Sequence, residues 1–147
     1  MHYREKTLRL SLDQLVGRDV SLGARYQLSH AELLGSLDDI SSGTPQNSSA
    51  VMQQLTLYVN YNLPCGFFSQ GQALWTTQDN LRDQAGLADA NFWQLNAFAG
   101  YRFLHRAAEV KVGVLNINNA NYLLNPINLY NDLPRNRTFA VNFKFYF

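Results

Sequence analysis

Histidine and aspartate side chains are the first residues of this 147-residue chain to consider for catalysis or metal binding. Protein zinc sites bring three or four ligands together at short, recurring spacings. The histidines, His2, His30 and His105, lie far apart and follow no such spacing, so we interpret them as surface residues. Asp38 and Asp39 stand in a polar stretch, where an acidic pair is usually only solvated.

Other catalytic patterns do not occur. Cys65 is the single cysteine, which excludes an intrachain disulfide and a cysteine-rich zinc site. The sequence contains no Ser-His-Asp arrangement, phosphate-binding loop or glycine-rich nucleotide fingerprint. We therefore expect a protein that is not an enzyme, with no catalytic residue, no metal and no cofactor.

The best candidate for ligand contact is the stretch "LLNPINLYNDLPR" at 123-135 with the tyrosine before it. Aromatic, amide and guanidinium groups in such a stretch can contact a ligand. Alternatively, the loop folds on its own leucine and proline residues. The sequence leaves both interpretations open. The candidate contact residues are Tyr122, Asn125, Asn128, Tyr130 and Arg135.

Composition limits the class of protein. Charged residues make up 16% of the chain, against roughly 25% in an average soluble domain, and aromatic residues reach 13%. The net charge is +1 and the basic residues are scattered, so no nucleic-acid partner is expected. The start "MHYREKTLRL" has no signal-peptide h-region, and no window of about 18 consecutive apolar residues predicts a membrane-spanning helix. The strands of a membrane barrel require neither feature.

The elements that must position these residues are strands. Alternation of apolar and polar residues predicts an all-β fold with seven strands. The tight connections after the first, third and fifth strands alternate with long ones after the second, fourth and sixth. This pattern predicts an antiparallel up-and-down meander with all its loops at one end. The predicted strands lie at about 4-15, 19-33, 50-63, 67-79, 92-104, 108-118 and 137-147.

The strand lengths favour a membrane barrel. All the predicted strands, at roughly 11 to 15 residues, exceed the 5 or 6 that are usual in globular proteins, and a tilted strand crosses a bilayer in about 9 to 11. Bacterial outer-membrane barrels have short periplasmic turns and long extracellular loops. We therefore predict an open segment of a transmembrane β-barrel.

The composition of the polar face indicates which face of the sheet points into the lumen. The fourth strand, "FFSQGQALWTTQ", is ambiguous, but in the other strands the interior charges fall on the polar face. That face is rich in amides and hydroxyls and poor in charge, whereas a soluble exterior carries about 25 to 35% charged residues. Alternation alone also fits a soluble barrel with the apolar face inside. We favour polar residues in the lumen, with lumen-facing charges at Arg9, Arg25, Arg102, Lys111 and Lys144.

Aromatic residues collect near both ends of the predicted strands. Two interfacial girdles would have this distribution, although aromatic residues favour strands in any case. Near the tight turns lie Tyr61, Phe67, Phe68, Tyr101, Phe103, Phe145 and Phe147; near the loops lie Trp75, Phe92, Trp93 and Phe139.

The last quarter of the chain, from Val112 onward, carries two motifs. Asn116, Ile117, Asn118 and Tyr122 match an "N-[LI]-x-(D/N)…Y" stretch that follows a strand. After a long loop, a second set of residues matches a "P-x-R-x-F" stretch that opens a last strand ending in phenylalanine, here Phe147, with "PRNR" in place of the usual "PGR": Leu133, Pro134, Arg135, Arg137, Thr138 and Phe139. This region resembles the C-terminal end of TonB-dependent outer-membrane receptors.

The resemblance implies that residues 1-147 form the C-terminal part of a receptor barrel, with the plug domain and the N-terminal strands absent. It implies a barrel segment in the bacterial outer membrane, which takes up a scarce solute. The implied partners are outer-membrane lipid, the missing strands and plug, the TonB complex through that missing part, and the barrel-assembly machinery. The last strand resembles the signal that this machinery reads, with Phe143, Phe145 and Phe147 as its aromatic residues. The alternative is a small closed or soluble β-barrel that binds an apolar ligand in its interior.

Overall fold

The computed structural model describes residues 2–34, 47–82, 89–105, 107–124 and 136–146. Seven strands form one sheet in sequential order, and each pairs antiparallel with the next. The predicted all-β up-and-down meander is confirmed. The strands are β1 (His2–Val16), β2 (Val20–Leu34), β3 (Asn47–Asn62), β4 (Phe67–Arg82), β5 (Ala90–Phe103), β6 (Ala108–Leu115) and β7 (Thr138–Phe145).

The sheet is open. Within the described ranges, β1 and β7 stand at its two ends and do not contact each other. Five of the strands have 14 to 16 residues, whereas β6 and β7 have eight each. The first two tight turns contain Gly17 and Gly66, whose positive φ angles of 68° and 101° a side chain would disfavour. The third short connection joins Phe103 of β5 to Ala108 of β6, so the three predicted short connections lie at one end of the sheet.

Two predicted strands are longer than the observed ones. The last strand, predicted at 137-147, is Thr138–Phe145, with Phe147 outside the described residues. The sequence predicts β6 at 108-118, but the strand ends at Leu115. Asn116 follows with a φ of 52°, in the left-handed region that breaks an extended strand. Asparagine tolerates this conformation better than most residues, because its short side chain can bond to nearby backbone.

The strand register assigns the ambiguous fourth strand to its two faces. Gln54 lies opposite Thr76, and Thr56 lies opposite Leu74. Residues directly opposite each other in a sheet share a face. Even-numbered residues of β4 therefore lie on the polar face, and its odd-numbered residues, including Trp75, lie on the apolar face.

The polar face is the buried one. Ser29, Met52, Thr76, Gln78 and Gln94 have no exposed surface, although the sheet is a single layer. All five share the polar face in the register. On the same face, two cavities are lined by side chains from five and from six successive strands, which requires the sheet to curve toward this face. The polar face is therefore concave.

The apolar face is convex and open. Phe139, Val141, Phe143 and Phe145 on β7 are 59 to 77% exposed, and Leu8, Leu10 and Leu12 on β1 are 52 to 72% exposed. The phenylalanines do not converge on a packed interior in the described part of the chain. The buried apolar cluster that is present is small, and it consists of Ala90, Phe92, Tyr122 and Leu124.

The aromatic residues divide between the faces. Phe67 pairs with Tyr101, and Trp75 with Trp93, on the convex face. Phe68 lies on the concave face and is only 7% exposed. Phe92 shares that face, because it lies opposite Thr76. The placement of Phe68 and Phe92 in the girdles is therefore wrong, since their side chains project to the other side of the sheet.

No helix long and apolar enough to cross a bilayer occurs among the residues that the structure describes.

Candidate functional site

The five predicted lumen-facing charges project from one face. Arg9 lies opposite Gln27, and Arg25 opposite Thr56, all on the concave side. Arg102 lies opposite Glu109, which in turn faces Lys144. The register places Lys111 on the same side, opposite Gly100. The structure therefore brings these charges together in two groups, and that they face a lumen stays a prediction.

The first group lies in a cavity of about 400 Å³ that we call the arginine cavity. Side chains from five successive strands, β1 to β5, form its walls. Apart from the two arginines, its polar groups are neutral amides and one hydroxyl. The lining residues are Arg9, Arg25, Gln27, Gln54, Thr56, Gln72, Leu74 and Asn96.

The second group lies in a cavity of about 440 Å³ toward the tight turns, which we call the lysine cavity. Arg102 donates hydrogen bonds to the Glu109 carboxylate at 3.0 Å and to the Asn62 side chain at 3.1 Å. Lys111 and Lys144 also line this cavity. Because Glu109 is paired with Arg102, the cavity keeps a net positive charge.

Aromatic rings cover three glycines of the concave face. Tyr58 lies over Gly23, Phe68 over Gly100 and Phe98 over Gly113, each pair directly opposite in the register. A Cβ atom at any of the three glycines would overlap the facing ring. Aromatic rings that fill the space above glycines help to define register in curved sheets. The rings therefore help to set the alignment of the strands that carry the charges.

Two of these rings also contact cations. The Arg102 guanidinium lies 4.2 Å from the Phe68 ring centroid, and the Lys111 ammonium lies 4.9 Å from that of Phe98. Cations over an aromatic face are attracted by about 0.5 to 2 kcal/mol, depending on solvation. Arg102 lies two residues after Gly100 on β5, and Lys111 lies two residues before Gly113 on β6. Each cation therefore shares a strand and a face with a covered glycine. Alternation within a strand predicts the cations but not the rings that position them, because the ring and the glycine it covers are distant in sequence.

The predicted ligand loop is described only in part. Tyr122 stacks on Phe92, with ring centroids 4.2 Å apart and planes 4° from parallel, and it is buried. It lies beside a surface cavity of about 520 Å³ next to the start of β5. Asn125, Asn128, Tyr130 and Arg135 fall outside the described residues. The described residues thus give Tyr122 a packing role.

The asparagine motif after β6 has a structural role that the sequence analysis missed. Asn118 accepts a hydrogen bond from the Leu95 N–H at 2.9 Å and donates one to the Trp93 carbonyl at 2.7 Å. Its side-chain amide therefore pairs with β5 beyond the end of β6. Asn116 closes the turn by bonding the N–H and the carbonyl of Ala120. The available signal was the short spacing of the asparagines, which suits side-chain to backbone bonds.

Arg137 ties the start of β7 to this turn. Its guanidinium donates two hydrogen bonds to the Ile117 carbonyl, at 2.7 and 3.2 Å. Its backbone N–H donates to the Asn119 side chain at 3.4 Å. The two motifs of the last quarter of the chain therefore contact each other directly.

We expect Asn118→Leu to destabilise the sheet by about 1 to 3 kcal/mol, because two hydrogen bonds of roughly 0.5 to 1.5 kcal/mol each are lost. The free energy of unfolding by urea in detergent micelles measures the effect. Asn121→Leu is the matched control, since Asn121 is exposed and its side chain makes no hydrogen bond with the described residues. Equal losses in the two variants would show that the Asn118 amide contributes nothing specific.

The last strand presents its phenylalanines to the outside. Phe143 is 64% exposed and Phe145 59% exposed, both on the convex face. Phe147 lies outside the described residues. Their role as an assembly signal stays a prediction.

The structure assembles no metal site within its described ranges, since no group of three His, Cys, Asp or Glu residues could hold an ion there. His30 contacts Ser49 at 3.2 Å and Glu32 at 3.5 Å. These contacts give His30 ordinary partners at the sheet surface.

Comparison with known proteins finds no match: no family model, no curated protein and no solved structure is similar to this chain. The geometry of the sheet is therefore the basis for a functional assignment.

Proposed function

We propose that this chain is the barrel segment of a TonB-dependent receptor, which takes up a scarce solute across the bacterial outer membrane. The observation that carries the proposal is the inverted burial of the sheet. Its polar face is concave and carries the buried side chains of β2 to β5, whereas its apolar face is convex and exposed. A water-soluble sheet commonly packs its apolar face on a core and leaves the other face in water.

Lipid explains this inversion. A convex apolar surface is stable when hydrocarbon covers it, and an inner face of amides, hydroxyls and scattered charges is stable when water fills the lumen. The long strands β1 to β5, of 14 to 16 residues, exceed the roughly 9 to 11 that span a bilayer at a tilt. In the complete barrel, further strands would pair with the open edges of β1 and β7, since unpaired backbone groups in hydrocarbon cost several kcal/mol each.

The alternative is a small closed or soluble barrel that binds an apolar ligand in its interior. That architecture needs the apolar face inside. It would require the sheet to curve in the opposite direction, which would place Phe143 and Phe145 against the ligand.

The two tryptophans test the proposal. Trp75 and Trp93 are the only tryptophans of the chain, and they form one pair on the convex face. We expect strong quenching of their fluorescence when the chain is folded in a detergent with brominated alkyl chains. Micelles suit this test because they tolerate open sheet edges better than a bilayer does. A chain that stays dissolved without detergent, and whose tryptophans a brominated detergent leaves unquenched, would support the soluble barrel instead.

A further inference from the structure

The arginine cavity contains two like charges at close register positions. Arg9 lies opposite Gln27 on β2, and Arg25 lies opposite Ser11 on β1, so the two arginines are diagonal neighbours across one strand pair. Such diagonal positions are about 7 to 8 Å apart at the backbone, within reach of long side chains. Both side chains line the same cavity. Both arginines are exposed, so water screens their mutual repulsion, and an anion between them would interact favourably with both guanidinium groups.

The described residues supply no anion to the cavity. Arg9 donates to the Gln27 side-chain oxygen at 3.1 Å, which is a neutral partner. Arg25 makes no hydrogen bond or ion pair with any residue in the described ranges. The other residues of the wall are neutral.

One carboxylate on the same face is held elsewhere. Asp13 is two residues from Ser11 along β1, and it lies opposite Gly23. The missing side chain at Gly23 leaves room for the Tyr58 ring, and the Tyr58 hydroxyl donates a hydrogen bond to the Asp13 carboxylate. Asp13 forms no ion pair with Arg25 and does not line the cavity. Tyr58 thus binds the acidic group, which is a diagonal neighbour of Arg25 but forms no ion pair with it.

We propose that the arginine cavity binds a small solute through an oxyanion, a carboxylate or a phosphate, held by Arg9 and Arg25. Guanidinium groups bind both oxyanions through paired N–H donors. The Gln72 oxygen accepts a hydrogen bond from Asn96 at 3.0 Å, which leaves the Gln72 amide N–H groups to donate beside the charged contact. The volume of about 400 Å³ is within the range of roughly 300 to 1,000 Å³ that small-molecule sites have.

A compact solute fits this site better than a protein segment. The walls come from five neighbouring strands and enclose a local hollow, whereas an extended acidic segment would need a groove along the sheet. The binding itself requires only the concave face. The further statement that the bound anion is the solute taken up rests on the proposed function.

The first test uses the full chain in nonionic detergent micelles, titrated with tricarballylate and, separately, with inorganic phosphate. We expect saturable binding of at least one anion, and at least tenfold weaker binding for Arg25→Gln. Tighter binding of tricarballylate would identify the oxyanion as a carboxylate, and tighter binding of inorganic phosphate would identify it as a phosphate. Lys144→Gln is the matched control, since it removes a cation of the same face from the other cavity. The absence of saturable binding to the unchanged chain, or an equal loss in the control, would overturn the proposal.

Tyr58 provides the second test, as a positioning residue. Tyr58→Phe keeps the ring over Gly23 but releases Asp13, which can then pair with Arg25. We expect severalfold weaker anion binding in Tyr58→Phe, and recovery when Asp13→Asn is added. A purely structural role of Tyr58 predicts no recovery. Arg25→Lys, which keeps the charge, should retain more binding than Arg25→Gln.

The outcomes separate the two proposals. Quenching by brominated detergent reports the apolar face, and anion titration reports the arginine cavity. Quenching without anion binding would reject the anion site and leave the barrel assignment standing, and the reverse result would reject only the barrel assignment. Tighter binding of an acidic peptide than of either small anion would replace the solute with a protein partner.

Discussion

Val112→Lys is expected to lower the ratio of micelle-bound to free chain by about 30-fold or more. Val112 lies in the middle of β6 on the convex face and is 50% exposed. A lysine that faces hydrocarbon at the middle of a barrel costs about 2 to 4 kcal/mol, and each 1.4 kcal/mol changes an equilibrium tenfold. The micelle-bound fraction can be measured by gel filtration, with strand content followed by circular dichroism.

The control adds the same charge to the other face. The control variant is Asn142→Lys. Asn142 lies on β7 opposite Lys111, next to the residue pair of Val112 and Val141, and its side chain projects from the concave side. Its cost is the repulsion between two hydrated ammonium groups, which is a few tenths of a kcal/mol for exposed pairs. If both variants leave the micelles equally, hydrocarbon does not cover the convex face and the barrel assignment is wrong.

Gly100→Ala is expected to destabilise the sheet by about 1 to 3 kcal/mol, the usual cost of overfilling a packed site. A Cβ atom there would overlap the Phe68 ring and would lie 2.5 Å from the Val110 carbonyl oxygen. The ring could rotate, but the backbone oxygen belongs to the β5–β6 ladder and cannot move without breaking it. Urea unfolding in micelles, followed by tryptophan fluorescence, measures the change.

Gly71→Ala is the matched control on the convex face. Its new methyl group would meet only a Val59 methyl, at 3.3 Å, a neighbour that can move. We expect a change within about 0.5 kcal/mol, as for most substitutions at open positions. Similar losses at Gly100 and Gly71 would mean that strand flexibility, and not the covered glycine, determines the effect.

Much of the candidate site could be predicted from local patterns. Alternation within single strands predicts that five charged residues lie on the polar face: Arg9, Arg25, Arg102, Lys111 and Lys144. Their grouping into two cavities does not follow from alternation, because it depends on which residues of different strands lie opposite each other. The same limit explains the wrong prediction for Phe68, since the face of the ambiguous fourth strand is set by its pairing with β3. For Phe92 the alternation within β5 already indicates the polar face, which it shares with Gln94 and Asn96.

By itself, the sequence determined the number of strands, their order and the separation of tight turns from loops. Each depends on residues near one another in the chain, such as the glycines at 17 and 66 or the alternating run that ends in "FKFYF". Only the tertiary structure decided which face is concave, because the direction of curvature results from how all seven strands pack together. It also decided where β6 ends, since the left-handed turn at Asn116 is stabilised by Asn118 bonding to β5. The register aligns residues that are distant in sequence. The alternation of apolar and polar residues along one strand does not specify how that strand aligns with its neighbour.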